Sequence, residues 1–181
     1  MIGKTIAEVA EGDYAEIVRT VRREDIAGFI DAVGDLNPIH SDVAHAATTP
    51  FKSPIAPGIF TAGLVSAVIG TRLPGPGAIY LSQSLRFLRP VRVGDTITAR
   101  VEALEVSREK NRLRLQTTCT NQRGEEVLSG EAWVMPARTH IVYEEERRAA
   151  ASLARLAFGP WSWAARALDA WAAMVTSVAR R

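Results

Sequence analysis

The stretch Ile59-Phe60-Thr61-Ala62-Gly63-Leu64-Val65-Ser66-Ala67-Val68-Ile69-Gly70-Thr71-Arg72-Leu73 carries no charge before Arg72. Its large apolar residues (Ile59, Phe60, Leu64, Val65, Val68, Ile69) alternate with small ones (Thr61, Ala62, Gly63, Ser66, Ala67). A helix that is apolar or small all round is a buried helix, so the stretch predicts one central helix from about Ile59 to Leu73. The rigid loop Ser53-Pro54-Ile55-Ala56-Pro57-Gly58 feeds it, and Leu73-Pro74-Gly75-Pro76-Gly77 breaks the chain after it.

Beyond that break the period changes to two. Ile79, Leu81, Gln83, Leu85 and Phe87 fall on one side, Arg86 and Leu88 on the other. Thr96–Val106, Arg112–Asn121 and Glu126–Met135 read as three further strands, with Gly124 in a turn between the last two. Upstream, Tyr14–Arg22 reads as a strand. Arg23-Glu24-Asp25 then opens a helix whose Ile26, Phe29, Ile30 and Val33 form one apolar face, ended by Gly34. A short polar helix is expected from Asp42 to Ala47. The expected class is α+β, an antiparallel sheet wrapped on one buried helix.

The last forty or so residues differ in kind. Glu144-Glu145-Glu146-Arg147-Arg148 starts an alanine-rich helical pattern, and Trp161, Leu168, Trp171, Met174, Val175 and Val178 recur at helical spacing after Gly159-Pro160. The division expected is a main domain over 1–139 and a helical extension over 140–181.

Composition narrows the function classes. Of 181 residues 47% are apolar, enough for a full core without metal or disulfide support. Lys and Arg number 22 against 20 acids, a formal charge of +2, which lacks the basic stripe of a nucleic-acid binder. A single cysteine, Cys119, excludes an intramolecular disulfide and a thiolate-rich zinc site, and points to a reducing, cytoplasmic compartment. No signal peptide is read at the N-terminus, and no uncharged apolar stretch approaches the ~20 residues that span a bilayer. His140 sits in a linker and His45 on a polar helix; neither has ligand-type neighbours at metal spacing, so no metal site is expected. Cys119, among threonines in a strand, reads as core.

The richest loop is Gly34-Asp35-Leu36-Asn37-Pro38-Ile39-His40, which sets an acid and an imidazole five positions apart around a stiff Asn-Pro. Adding water to a conjugated thioester needs a base for the water, an acid for the α-carbon and donors for the enolate oxygen. Asp35 and His40 suit the first two. Alternatively, Asp35 makes an Asx-turn and His40 is a satisfied, half-exposed histidine. Pro57-Gly58 opens the central helix, where free N–H groups and a missing Cβ offer an oxyanion site, or simply a helix start. Ser66, two turns further on, either bonds back to its own helix or orients Asp35. Lys52, Arg86, Arg89 and Arg92 are candidate contacts for phosphates, or solvated surface cations.

With Gly34-Asp35-x-Asn37-Pro38-Ile39-His40, Ala46, the proline-rich loop with Gly58, Leu73-Pro74-Gly75-x-Gly77-x-Ile79-Tyr80-Leu81 and Phe87-x3-Val91-x-Val93-Gly94-Asp95 in order, the chain resembles the MaoC-like, (R)-specific enoyl-CoA hydratases over roughly residues 1–137. It departs from their usual pattern at Val33 and at Pro57, where the family commonly has histidine. The resemblance implies a hotdog fold, usually assembled as a homodimer or larger homo-oligomer. It implies reversible syn hydration of trans-2-enoyl-CoA to (R)-3-hydroxyacyl-CoA, with no cofactor, coenzyme A being part of the substrate. It assigns Asp35 and His40 to water activation, Gly58 N–H to the thioester oxygen, Ser66 to a hydrogen bond with Asp35, and Asn37 to orienting the loop. Carboxylate-on-helix thioesterases and dehydratases are disfavoured because Gly58–Leu73 has no Asp or Glu. Acyl carrier protein thioesters remain an alternative substrate. So does a non-catalytic scaffold role, in which the Trp161–Val178 stripe contacts a membrane or lipid granule instead of docking on protein.

Overall fold

The computed structural model describes residues 1–143. The chain divides into two compact units, Met1–Val142 and Tyr143–Arg181. The helical tail anticipated from sequence lies almost wholly outside the described residues, and the first unit holds every described helix and strand.

Strand β1 (Tyr14–Thr20) leads into helix α1 (Arg23–Val33), short helix α2 (Val43–Thr48) and central helix α3 (Gly58–Thr71). Four strands come after it: β2 (Ile79–Phe87), β3 (Thr96–Ser107), β4 (Arg112–Thr120) and β5 (Glu126–Met135). The five strands form one sheet in the order β1-β3-β4-β5-β2, antiparallel throughout. This is the helix-on-sheet arrangement of the hotdog fold. Along β3 and β4 side chains alternate between full burial and partial exposure, as expected for strands with one face on a core. Val65, Val68 and Ile69 of α3 join Ile97, Val101, Leu113, Leu115, Leu128 and Val134 of the sheet in one core cluster.

The sheet covers only one side of α3. Thr61, Leu64, Val65, Val68 and Ile69 are buried, but Ile59, Gly63, Ser66 and Gly70 are exposed along the other side. The all-round burial read from the sequence is thus half met within one chain. Strand β2 also departs from a strict period of two. Its register with β5 shifts between Tyr80 and Ser82, so Leu81 is an extra, bulged residue. Tyr80 therefore joins Gln83 and Leu85 on the half-buried side, while Ile79 and Leu81 are exposed.

Helix α1 begins where Asp25 accepts the Arg22 backbone N–H at 3.0 Å, and ends at Gly34 in the left-handed region (φ 71°). It docks on α3 by an edge-to-face contact of Phe29 with Phe60, centroids 6.2 Å apart. At the other end of the unit, Gly3 N–H donates to Ile141 O at 2.9 Å and Ile2 bridges Val142. That pairing carries the compact unit to Val142, just beyond the linker position read from sequence.

Candidate active site

The left-handed turn at Gly34 places Asp35 at the mouth of a short loop that folds on its own side chains. Asp35 Oδ1 accepts the Asn37 N–H at 3.2 Å, and Asn37 Oδ1 accepts the Ile39 N–H at 3.3 Å. Asn37 thereby caps the single 3-10 turn Pro38–His40, which turns the His40 side chain inward. His40 Nδ1 lies 2.7 Å from Ile55 O. A carbonyl only accepts, so Nδ1 carries the proton, and in the neutral ring Nε2 presents a lone pair. Nε2 is 3.6 Å from Asp35 Oδ2. That exceeds a direct N–H···O bond and is a span that one water set to the side could bridge. Asp35 thus makes the Asx-turn with one oxygen, and its other oxygen faces the imidazole.

The pair is sheltered unequally, His40 having 11% of its side chain exposed and Asp35 32%. His40 borders a cavity of about 460 Å³ whose walls include Gly58, Ile59, Thr61, Phe87 and Val127. Pro57 caps α3 without a side-chain bond, and the Gly58 and Ile59 N–H groups have no acceptor among the described residues. They open toward the cavity from the positive end of α3. A Cβ on Gly58 would lie 2.8 Å from the Phe87 ring, so glycine is what lets the cavity reach this backbone.

The remaining expected residues lie apart from this pair. Ser66 is on the exposed side of α3 and has no hydrogen-bond partner among the described residues, Asp35 included. His45 is exposed. The Thr5 backbone N–H and hydroxyl, joined by His140 Nε2 at 2.7 Å, hold the pKa of the Glu8 carboxyl at about 2. Cys119 is fully buried, and burial pushes its thiol up to about 12, so it is core and not a nucleophile. Arg89 donates to Glu126 O at 2.8 Å and faces Glu125 at 3.9 Å. Arg92 donates to Ser53 Oγ and Phe51 O. No cluster of three metal-ligating side chains occurs among the described residues. Sequence reasoning passed over the Ile55 carbonyl, a backbone acceptor with no sequence signature, and Phe87, whose alternation identified its strand but not its place at the cavity.

Residues 6–125 match the family described as MaoC like domain. The chain belongs to the MaoC-like family. Among relatives of this MaoC-like chain, the (R)-specific enoyl-CoA hydratase of Rhodospirillum rubrum is 48% identical over 132 residues, covering 72% of this chain and 91% of that one. The 3-hydroxybutyryl-CoA dehydratase of Methylorubrum extorquens is 51% identical over 128 residues, covering 70% and 81%. The solved structure of R-hydratase PhaJ1 from Pseudomonas aeruginosa superposes with a TM-score of 0.75 at 43% identity, covering 79% of this MaoC-like chain and 92% of that one.

Proposed function

We propose that this protein is an (R)-specific enoyl-CoA hydratase, a hydro-lyase that reversibly adds water to trans-2-enoyl-CoA. The observation that carries the reading is the approach of Asp35 Oδ2 to His40 Nε2 at 3.6 Å, with His40 lining the same cavity as Gly58, whose N–H has no acceptor among the described residues. The water between the two groups donates its O–H bonds to their lone pairs. One takes the proton as the water oxygen bonds to the β-carbon. The C=C electrons shift toward the thioester carbonyl, whose oxygen accepts from Gly58 N–H. The enolate then collects a proton at the α-carbon from the same acid–base pair. Because that pair flanks the substrate on one side, O and H arrive on the same face and the addition is syn. Asn37 is a positioning residue that holds the loop through Ile39. The chemistry asks for no cofactor, coenzyme A being the handle of the substrate. Ser66 is assigned by resemblance to a bond with Asp35, and the two side chains are not hydrogen-bonded in this structure.

The single cysteine supports a reducing, cytoplasmic setting, and the reading there is of a homodimer or larger homo-oligomer: the open stripe Ile59-Gly63-Ser66-Gly70 and the exposed Ile79 and Leu81 on edge strand β2 are the surfaces that a second copy would cover. No helix among the described residues is long and apolar enough to cross a membrane. The test is loss of enoyl-thioester absorbance on crotonyl-CoA, with Asp35→Asn and His40→Gln alongside. Each variant should remain folded and lose about 10²–10⁴ in kcat. Turnover within a few-fold of wild type in either variant removes that residue from the chemistry.

A further inference from the structure

A second cavity of about 390 Å³ shares His40 as its wall with the first and differs from it in charge. Ile26 and Ile30 of α1 supply an apolar floor, and Arg23 and Arg92 stand at its rim beside Ser53. None of the residues lining it is a carboxylate. Arg92 is braced, its Nε donating to Ser53 Oγ at 3.0 Å and its Nη2 to Phe51 O at 2.9 Å, and neither partner neutralises its charge. Arg23 has no hydrogen bond or ion pair among the described residues. Its neighbour Arg22 is committed to Asp25 at 3.3 Å, and Arg89 at the first cavity faces Glu125. Uncompensated guanidiniums over an apolar floor suit a ligand with both an organic arm and phosphates.

This inference rests on the hydratase reading. An enoyl-CoA has an apolar end and a polyanionic end joined at the thioester, and the two cavities have His40 in common, the residue that the hydratase reading sets beside the thioester. The Gly58 cavity is walled by Ile59, Phe87 and Val127 and suits the acyl end. We propose that the second cavity receives the phosphate-bearing arm of the thioester, and that Arg23 and Arg92 read its phosphates, setting preference for a phosphorylated handle.

The experiment uses the full chain and three substrates with one acyl group: crotonyl-CoA, crotonyl-4′-phosphopantetheine and crotonyl-pantetheine. Arg23→Ala and Arg92→Ala should each lower, about ten-fold, the ratio of kcat/KM for crotonyl-CoA over crotonyl-pantetheine, through KM. Arg108→Ala, exposed in the turn after β3 and outside both cavities, should keep that ratio. A drop confined to the comparison with CoA assigns the arginines to the nucleotide phosphates. A drop already present with 4′-phosphopantetheine assigns them to the phosphate that a carrier protein's arm also bears. Equal losses on all three substrates, or none on any, overturn the proposal. If wild type turns over none of them, the hydratase reading fails; calorimetric titration with free coenzyme A then decides the site by itself. Affinity that falls in Arg23→Ala upholds it, and affinity that is absent or unaltered ends it.

Discussion

Replacing Gly58 by alanine keeps its N–H and tests whether the proposed reaction needs a backbone without a Cβ at the start of α3. The added Cβ would meet three carbons of the Phe87 ring at 2.8, 2.9 and 3.0 Å. Ordinary contact begins near 3.4 Å, so the ring or the first turn of α3 must give by roughly half an ångström. The far side of that turn is anchored by buried Thr61, Leu64 and Val65, whereas Phe87 is 53% exposed. The ring therefore moves more than the helix. Alanine is also the better helix residue by about 1 kcal/mol, which offsets most of the local strain. Stability should stay within about 1 kcal/mol, a melting shift of a few degrees. Activity should not. The Cβ stands at the edge of the cavity where the thioester must approach the backbone, and misplacement by about 1 Å costs on the order of 10² in rate. The expected result is a 10- to 100-fold fall in kcat/KM on crotonyl-CoA, read by enoyl absorbance, with an intact melting curve. Adding Phe87→Ala removes the clash but keeps the Cβ, so the double variant should remain impaired relative to Phe87→Ala alone. A Gly58→Ala enzyme within two-fold of wild type would refute the close approach of the thioester to this stretch of backbone.

Three further outcomes are expected. Cys119, buried and with its thiol pushed up to about 12, should leave a chromogenic disulfide reagent unreacted at pH 8 until denaturant is added; rapid native labelling would contradict its burial. Glu8, held at about 2 instead of its usual 4.5, contributes stability that is present above pH 4.5 and lost as pH falls toward 2. Glu8→Gln should flatten that acid limb in urea midpoints measured against pH, and an unaltered limb would dismiss the linkage. Leu115→Ala, at a fully buried position on β4, should cost about 3 kcal/mol by chemical denaturation. A cost under 1 kcal/mol would mean the core closes over the gap.

What the sequence disclosed tracks the range of the forces involved. Strands β3, β4 and β5 were legible because alternation is a local pattern enforced by one buried face. The bulge at Leu81 was not, since an extra residue is fixed by pairing with β5 across some fifty positions of chain. On α1, the apolar face at Ile26, Phe29 and Ile30 is packed, but Val33 is 58% exposed, because the final turn runs past what it covers before Gly34 reverses the chain. Asp35, Asn37 and His40 stood out as a loop motif, and their mutual bonds are short in sequence. The tautomer-setting Ile55 carbonyl and the Arg23–Arg92 rim are tertiary, joining segments that nothing local connects. The stripe holding Ser66 looked buried by composition alone, and composition does not say which molecule does the burying.

The Ile55 peptide grips the Asp35–His40 loop at two points: its N–H donates to Ile39 O at 3.2 Å, and its C=O receives the His40 ring. The next residue is tied to the sheet side, Ala56 N–H donating to Val91 O at 2.7 Å. Residues 41–54 thus form a loop closed like a buckle, with helix α2 carried outside the clasp. Insertions or deletions around Lys52 should therefore leave the orientation of the imidazole intact, while a single residue gained between Ile55 and Gly58 would rotate it away from the helix start. The chain thus has one zone where a change of length should be harmless and one where it should not, and the border between them is one peptide unit.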